Sequence, residues 1–132
     1  MRLQSSSRLW KDNQMREARS FPEIYLHKKF VDMRKNINGL SQIIVDEMKH
    51  NPCDNALFVF VNRSRCLMKC VYWDRTGFAL WQKRLEKDHF RWPMKLPDDV
   101  IKVSPEQMEW LLAGLDIVKA KPHETLRFEA FA

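Results

Sequence analysis

The 132-residue sequence has no long hydrophobic run. No apolar stretch reaches the roughly 18 to 20 residues that cross a bilayer. Residues 1–22 also contain no uninterrupted apolar stretch of the kind found in signal peptides. We therefore expect a cytoplasmic protein that does not span a membrane.

Cysteine is scarce as well. Cys53, Cys66 and Cys70 are an odd number and include no CxxC pair, so the sequence indicates neither a disulfide framework nor a zinc site. Because unpaired cysteine is among the most frequently buried residue types, we expect buried thiols.

The sequence also lacks the usual catalytic constellations. Its histidines are widely scattered, with no HxxxH or HNH-like spacing, and they are His27, His50, His89 and His123. A nuclease or transposase needs two or three converging carboxylates that hold divalent ions at the phosphate. Asp32, Asp74 and Glu86 are the best candidates, but a helix cap, a turn and a strand end explain them more simply. We therefore expect no enzymatic activity, no metal and no cofactor.

The composition is that of a folded domain with excess positive charge. With 45% hydrophobic and 11% aromatic residues, the chain can form one core. The net charge of +6 suggests a polyanionic partner, because Lys and Arg neutralise nucleic-acid phosphates. The charge is uneven: residues 1–35 hold nine Lys/Arg against four Asp/Glu, and residues 62–91 hold eight against three.

Hydrophobic spacing predicts the first two elements after a basic leader. Residues 24–26 read as a short strand. Asp32 is placed to cap a helix whose apolar residues recur every three or four positions as far as about His50, where Asn51-Pro52 ends it.

The middle of the chain predicts an antiparallel meander. Residues 57–61 form an apolar run of strand length, and the polar residues 62–65 separate it from a second strand at 66–73. Residues 74–77 form a turn in which Gly77 can supply positive φ. A third strand follows at 78–85, and an edge piece at 90–92 stops at Pro93.

A second helix begins at Ser104, where Pro105 and Gln107 complete a capping box. The predicted fold is therefore α+β, an antiparallel β-meander of about four to five short strands with two main helices. The predicted organisation is a flexible basic leader at 1–22, a single domain at 23–116 and a C-terminal tail at 117–132.

Closing the two hairpins places Val71 opposite Leu80 and Phe60 opposite Leu67. One face then carries the even-numbered side chains of the first and third strands and the odd-numbered ones of the second. Neither face is polar, so we expect either a helix on each face or a helix on one and a partner protein on the other.

Several motifs, in this order, resemble one known family. The residues concerned are 31–35 (VDMRK), 39–40 (GL), 57–60 (LFVF), 62–63 (NR), 71–74 (VYWD), 77–78 (GF), 83–86 (KRLE), 90–93 (FRWP) and 110–116 (WLLAGLD). The sequence is similar to the TnpB accessory proteins of insertion-sequence family 66, which are unrelated to the RNA-guided nucleases of the same name. The resemblance covers about residues 23–116. It implies a protein encoded beside a separate transposase and needed with it for efficient transposition, with no established catalytic activity.

Two modes of binding remain open for such a protein. In the first, DNA phosphates are bound by basic residues on the hairpins and in the first turn of the predicted helix. These candidates are Arg34, Lys35, Arg63, Arg65, Lys69, Arg75, Lys83, Arg84 and Arg91. Trp73, Trp81 and Trp92 could stack on exposed bases, although scattered basic residues often form only a solvated surface.

In the second mode, the protein is an adaptor that docks on the transposase of the same element. An apolar sheet face or the helix that carries Trp110 would form the contact, because aromatic residues are enriched at protein interfaces. The interface candidates are Trp73, Trp81, Trp92 and Trp110. The two modes can coexist.

Overall fold

The most buried strand of the fold comes from the apolar run in the middle of the chain. In the computed structural model, which describes residues 17–119, all six residues of Ala56–Val61 are buried. This strand, β2, is the central strand of a five-stranded sheet with the order β4-β3-β2-β1-β5. The other strands are β1 (Glu23–His27), β3 (Leu67–Asp74), β4 (Gly77–Arg84) and β5 (Val100–Val103).

The predicted α+β class and meander are confirmed, with one addition to the topology. Strands β2, β3 and β4 pair antiparallel in sequence order, whereas β1 pairs parallel with β2. Helix α1 (Ile37–Asp46) connects β1 to β2, and a crossover of this kind is what a parallel pair requires. Strand β5, which was not predicted, pairs antiparallel with β1 at the edge of the sheet.

The predicted edge strand at residues 90–92 is wrong, and these residues form a loop. Phe90 is fully buried and Trp92 is 5% exposed, so both side chains pack into the core. Their apolar character reflects packing against a sheet face and not membership of the sheet.

The predicted division of side chains between the two faces is confirmed. Val71 lies opposite Leu80 as expected, but Phe60 lies opposite Lys69, two residues from the predicted partner Leu67. Because the side-chain period of a strand is two, a two-residue shift leaves every side chain on its predicted face.

Each face is covered by its own helix, one of the two predicted arrangements. Helix α1 packs against the face that carries Phe58, Phe60 and Val71. Helix α2 (Pro105–Leu112) and residues 90–96 cover the opposite face.

Helix α1 begins later than predicted. The Asp32 carboxylate accepts a hydrogen bond from the Arg34 N–H at 2.9 Å, and the N-cap of α1 is Asn36. Asp32 therefore closes a local turn, the conformation in which aspartate competes with helix formation. The helix ends at Asp46 rather than near His50.

Helix α2 begins as predicted. The Ser104 hydroxyl accepts from the Gln107 N–H at 3.0 Å, and the Gln107 side chain accepts from the Ser104 N–H at 2.8 Å. After the helix, Gly114 adopts a φ of 88°, in the left-handed region that is open to glycine.

The core extends beyond both predicted domain boundaries. Ala18 and Phe21, within the predicted leader, are 5% and 2% exposed, and Ile117, within the predicted tail, is 3% exposed. The Phe21 ring packs edge-on against Tyr72, with centroids 5.1 Å apart. The remainder of the predicted leader (1–16) and of the tail (120–132), including His123, lies outside the described residues.

The prediction of buried thiols holds for one cysteine only. Cys70 is buried, Cys66 is half-buried and Cys53 is exposed. Cys53 follows α1 in a polar loop, and Cys66 lies in the β2–β3 loop, where neither helix covers it. Among residues 17–119, no helix is long and apolar enough to cross a membrane.

Candidate nucleic-acid interface

Three loops meet at one end of the sheet. Because β1 and β2 are parallel, the segment after β1, the β2–β3 loop and the β4–β5 connection all leave the sheet at the same end. We call residues 28–36, 62–66 and 84–99 the loop end. They hold ten Lys/Arg against five Asp/Glu, so the topology concentrates positive charge there.

Backbone hydrogen bonds hold these loops together. The Val31 N–H donates to the Val61 carbonyl at 3.0 Å, which joins the first segment to the end of β2. The Phe90 N–H donates to the Arg65 carbonyl at 2.7 Å, which joins the β4–β5 connection to the β2–β3 loop. The loop end is therefore a fixed surface and not three independent loops.

Asn62 shapes the β2–β3 loop. Its side-chain oxygen accepts from the N–H groups of Cys66 and Leu67 at 3.0 and 3.1 Å. An asparagine that bonds its own backbone a few residues on is a recognised turn former. This contact holds the exposed Arg63 at the tip of the hairpin.

Arg63 is an exposed cation in the β2–β3 loop. Its guanidinium carbon lies 5.8 Å from the centroid of the Phe30 ring, within the range of a cation–π contact. The side chain borders a shallow groove between residues 31–34 and 62–64. Among residues 17–119, no carboxylate forms a salt bridge with Lys35, Arg63 or Arg84.

Arg34 differs from these three because it is paired. Its Nη2 lies 2.6 Å from Oδ2 of Asp32, and this pairing holds the pKa of the Asp32 carboxyl well below its usual range. Arg34 and Lys35 precede α1 and do not lie in its first turn, so the predicted placement is corrected. Both are exposed at the loop end.

Lys69 was predicted to contact phosphate, but the structure places it in the interior. The residue is 5% exposed, and its Nζ donates to the carbonyls of Met33 and Lys35 at 2.8 and 2.9 Å. These carbonyls give the buried ammonium the hydrogen-bond partners that a buried charged group requires. Lys69 therefore fastens residues 33–36 over the sheet and is unavailable to DNA.

Of the other predicted cations, some lie at the loop end and one lies on a face of the sheet. Arg65 is half-buried with a φ of 61°, and Arg84 and Arg91 are exposed at the loop end. Lys83 lies on the α2 face of β4, and its Nζ donates to the Leu112 carbonyl at 3.3 Å.

Arg75 lies at the opposite end of the sheet, and its φ is 58°. Arg75 is therefore the residue of the β3–β4 turn with a left-handed conformation, a role that was predicted for Gly77. Gly77 is instead the first residue of β4. Strand residues rise about 3.3 Å each, so β4 separates Arg75 from Arg84 by roughly 20 Å or more. The structure does not bring Arg75 to the loop end.

Four basic residues of the loop end were not among the candidates, and they are Lys28, Lys29, Lys87 and Lys95. They lie in segments whose proximity depends on the parallel β1–β2 pair and on β5. The uneven charge of residues 1–35 was the available signal for the first two.

The His27 side chain contacts the backbone at Lys29. It is 4% exposed, with Nδ1 2.9 Å from the Lys29 carbonyl and Nε2 2.8 Å from a Glu47 carboxylate oxygen. His27 thus connects the end of β1 to the end of α1.

Cys66, which is half-buried, lies at the same loop end. Its Sγ lies 3.1 Å from the Ser64 hydroxyl, and hydrogen bonds from Ser64 and Asn62, together with the nearby Arg84 charge, lower the pKa of this thiol. Burial raises the pKa of Cys70. Only Cys66 of these two is positioned to react with reagents in solution.

The four tryptophans within residues 17–119 do not form one platform. Trp92 is buried and its indole donates to the His27 carbonyl at 3.3 Å, so its predicted role in stacking or docking is corrected. Trp73 is half-buried and packs edge-on against Phe78, with centroids 5.0 Å apart. Trp81 and Trp110 are half-buried and pack against the core beneath α2.

The three candidate catalytic carboxylates do not converge. Asp32 and Glu86 lie at the loop end, but Asp74 lies at the other end of β4. Among residues 17–119, no group of three or more His, Cys, Asp or Glu side chains could hold a metal ion.

Comparison with known proteins identifies the family. Residues 22–122 match the family described as IS66 Orf2 like protein. The chain belongs to this family. It is therefore an accessory protein of an insertion sequence, a member of a system that acts in transposition.

Two similar proteins come from Sinorhizobium fredii. The uncharacterised protein y4hO is 36% identical over 104 residues, which cover 79% of this chain and 88% of y4hO. The uncharacterised protein y4jC is 34% identical over 91 residues, which cover 69% of this chain and 77% of y4jC. No solved structure matches the chain.

Proposed function

We propose that this accessory protein binds DNA through phosphate contacts at the loop end and has no catalytic activity of its own. The observation that carries the proposal is the meeting of three basic loops. Lys35, Arg63 and Arg84 are exposed there without salt-bridge partners among residues 17–119.

The phosphate backbone is the part of DNA that this surface suits. A cation already paired with a carboxylate contributes less to phosphate binding, because either the ion pair must be broken or the nearby carboxylate repels the phosphate. Lys35, Arg63 and Arg84, which have no salt bridge among residues 17–119, avoid this cost. Hydrogen bonds fix the loops that carry Arg63, and Lys69 fixes the segment that carries Lys35. Such contacts position a protein on DNA but carry no sequence information by themselves.

Sequence choice would then come from the transposase of the same element. We propose that the accessory protein acts with it on element ends or on target DNA. The half-buried aromatic residues Trp81 and Trp110 lie on the α2 side of the sheet. This side offers an adaptor surface distinct from the loop end, so docking on the transposase without direct DNA contact is the second candidate function.

A salt series separates the two candidates. Binding of the isolated protein to a short element-end duplex, followed by fluorescence anisotropy, should weaken linearly on log–log axes as counterions are released. A complex with four phosphate contacts would give a slope of about −3.6. Absence of binding at about 50 mM salt, combined with retained capture of the transposase, would reject DNA binding and support the adaptor.

The proposed lack of catalysis has its own test. Glu86→Gln should leave transposition frequency in cells unchanged, because this carboxylate belongs to no converging set among residues 17–119. Loss of transposition by this variant, with fold, DNA binding and oligomeric state intact, would show that the carboxylate has a chemical role.

A further inference from the structure

The two edges of the sheet differ in length and in protection. Strand β5 has four residues, lies between Pro97 and Pro105, and presents the charged Lys102. Short length, prolines and charge are features that protect an edge from pairing with another strand. Strand β4 has eight residues, contains no proline and carries charge only at its C-terminal end, on Lys83 and Arg84. It is therefore the less protected edge.

Among residues 17–119, no strand pairs with the outer side of β4. The Leu85 N–H donates inward to the Cys66 carbonyl at 2.8 Å. In an antiparallel pair the inward and outward directions alternate along the strand, so the other odd-numbered residues of β4 also bond β3. The N–H and C=O groups of Phe78, Leu80 and Gln82 then point away from the sheet. Another strand is the partner that satisfies such a row.

We propose that β4 pairs antiparallel with β4 of a second copy of this chain, which joins the two sheets into one of ten strands. In such a dimer the two strands are related by a two-fold axis perpendicular to the sheet. Residues that lie opposite each other point to the same face, so their numbers are both even or both odd. One residue therefore lies opposite its own copy, and the axis passes between the two. This leaves Leu80 and Trp81 as the central positions of the strand on which the axis can lie.

The axis at Leu80 gives the better fit. Leu80 then meets its own copy, Trp81 lies opposite Ala79, and Phe78 lies opposite Gln82. Each large ring thus faces a smaller or unbranched side chain. The axis at Trp81 would set two indoles against each other in a non-hydrogen-bonded pair, where Cα atoms are only about 4.5 Å apart. It would also place Phe78 opposite Arg84.

Charge favours the same arrangement. With the axis at Leu80, Lys83 lies opposite Gly77 of the second copy. Gly77 pairs in turn with Asp74 on β3, on the same face. Because Gly77 has no side chain, Lys83 can extend across it toward the Asp74 carboxylate. That carboxylate forms no hydrogen bond or salt bridge within residues 17–119, and two-fold symmetry supplies this attraction twice.

Dimer formation would bury more of the apolar side chains of β4. Phe78, Leu80 and Trp81 are half-buried in the single chain, and apolar area removed from water contributes about 25 cal/mol per Å². The dimer itself does not depend on DNA binding. It would direct the two loop ends in opposite directions along the strands, so two DNA segments could be held at once if the proposed function is correct.

Sedimentation velocity of the full chain over a wide concentration range is the test. A reversible monomer–dimer equilibrium is expected. Gln82→Pro removes one outward N–H without removing a β3 hydrogen bond, and edge positions whose N–H faces solvent tolerate proline. We expect Gln82→Pro to be monomeric and Gln82→Ala, which keeps the N–H, to dimerise like the wild type.

Amide hydrogen exchange of the wild type gives a second readout that needs no variant. The Leu80 and Gln82 amides should exchange more slowly at high protein concentration than at low concentration. The Lys102 amide on the opposite edge should not change. A chain that remains monomeric at every concentration, or a dimer whose Leu80 and Gln82 amides show no added protection, would overturn the proposal. DNA binding measured on the Gln82→Pro monomer would still test the proposed function separately.

Discussion

The two ends of the sheet differ both in the length of their loops and in their charge. The loop end contains ten Lys/Arg against five Asp/Glu, whereas residues 49–55 and 75–76 at the other end, the turn end, contain two against one. The difference arises from topology, because the parallel β1–β2 pair brings a basic segment from early in the chain beside the β2–β3 loop. Basic segments that are far apart in the sequence therefore form a candidate binding site only where the strand order brings them together.

The largest expected effect concerns the lysine that supports the loop end from inside. Lys69→Met would leave the Met33 and Lys35 carbonyls without their partner, at about 1–3 kcal/mol for each unsatisfied group. We expect chemical denaturation to show a loss of about 2–4 kcal/mol in the free energy of unfolding. Arg63→Met, at an exposed position, should change it by less than about 0.5 kcal/mol. Equal losses in the two variants would contradict the structural role of Lys69.

Cysteine reactivity offers a comparison of the two ends within the wild-type protein. Cys66 lies at the loop end and the exposed Cys53 lies at the turn end. Alkylation by iodoacetamide, followed by mass spectrometry of peptides, should be strongly slowed by DNA at Cys66 and unchanged at Cys53. Bound DNA would shield Cys66 and would oppose the Arg84 charge, which adds to the hydrogen bonds from Ser64 and Asn62 in lowering the pKa of this thiol. Equal slowing at both thiols would break the distinction between the ends.

Ser104→Ala has a smaller effect and affects stability alone. Removal of the capping hydroxyl of α2 should cost about 1 kcal/mol of unfolding free energy. Ser104 follows β5 at the turn end, so DNA affinity of the folded protein should stay at the wild-type value. A matching loss of DNA affinity would mean that stability and binding are not separate in this fold.

The smallest effect is expected at Arg75. Arg75→Gln should change DNA affinity by less than about twofold, because roughly 20 Å or more separates it from the loop end. A loss as large as that of Arg63→Gln, measured by anisotropy at the same salt concentration, would place the turn end in the DNA interface.

Local patterns in the sequence predicted the local features of the fold. The apolar run of β2 and the capping box at Ser104 depend on residues a few positions apart, and both predictions are confirmed. The start of α1 was misplaced because Asp32 suits a turn as well as a cap, and the turn also binds Arg34.

Contacts between distant residues were not predictable in this way. Lys69 resembled the other hairpin cations until the segment before α1 was placed above it, 34 residues away along the chain. Phe90 and Trp92 resembled a strand because the sequence does not distinguish packing on a sheet face from pairing at its edge. Recognition of the site therefore required the topology.

Phosphate binding at the loop end is tested by comparing two variants of equal charge in a salt series of DNA binding. The triple variant Lys35→Gln, Arg63→Gln and Arg84→Gln should weaken binding steeply at low salt and make the log–log slope shallower by about 2.7. The control Lys49→Gln, Arg75→Gln and Lys102→Gln removes the same charge elsewhere and should keep nearly the wild-type slope. Equal slopes in the two variants would show that the loop end is not where DNA phosphates bind.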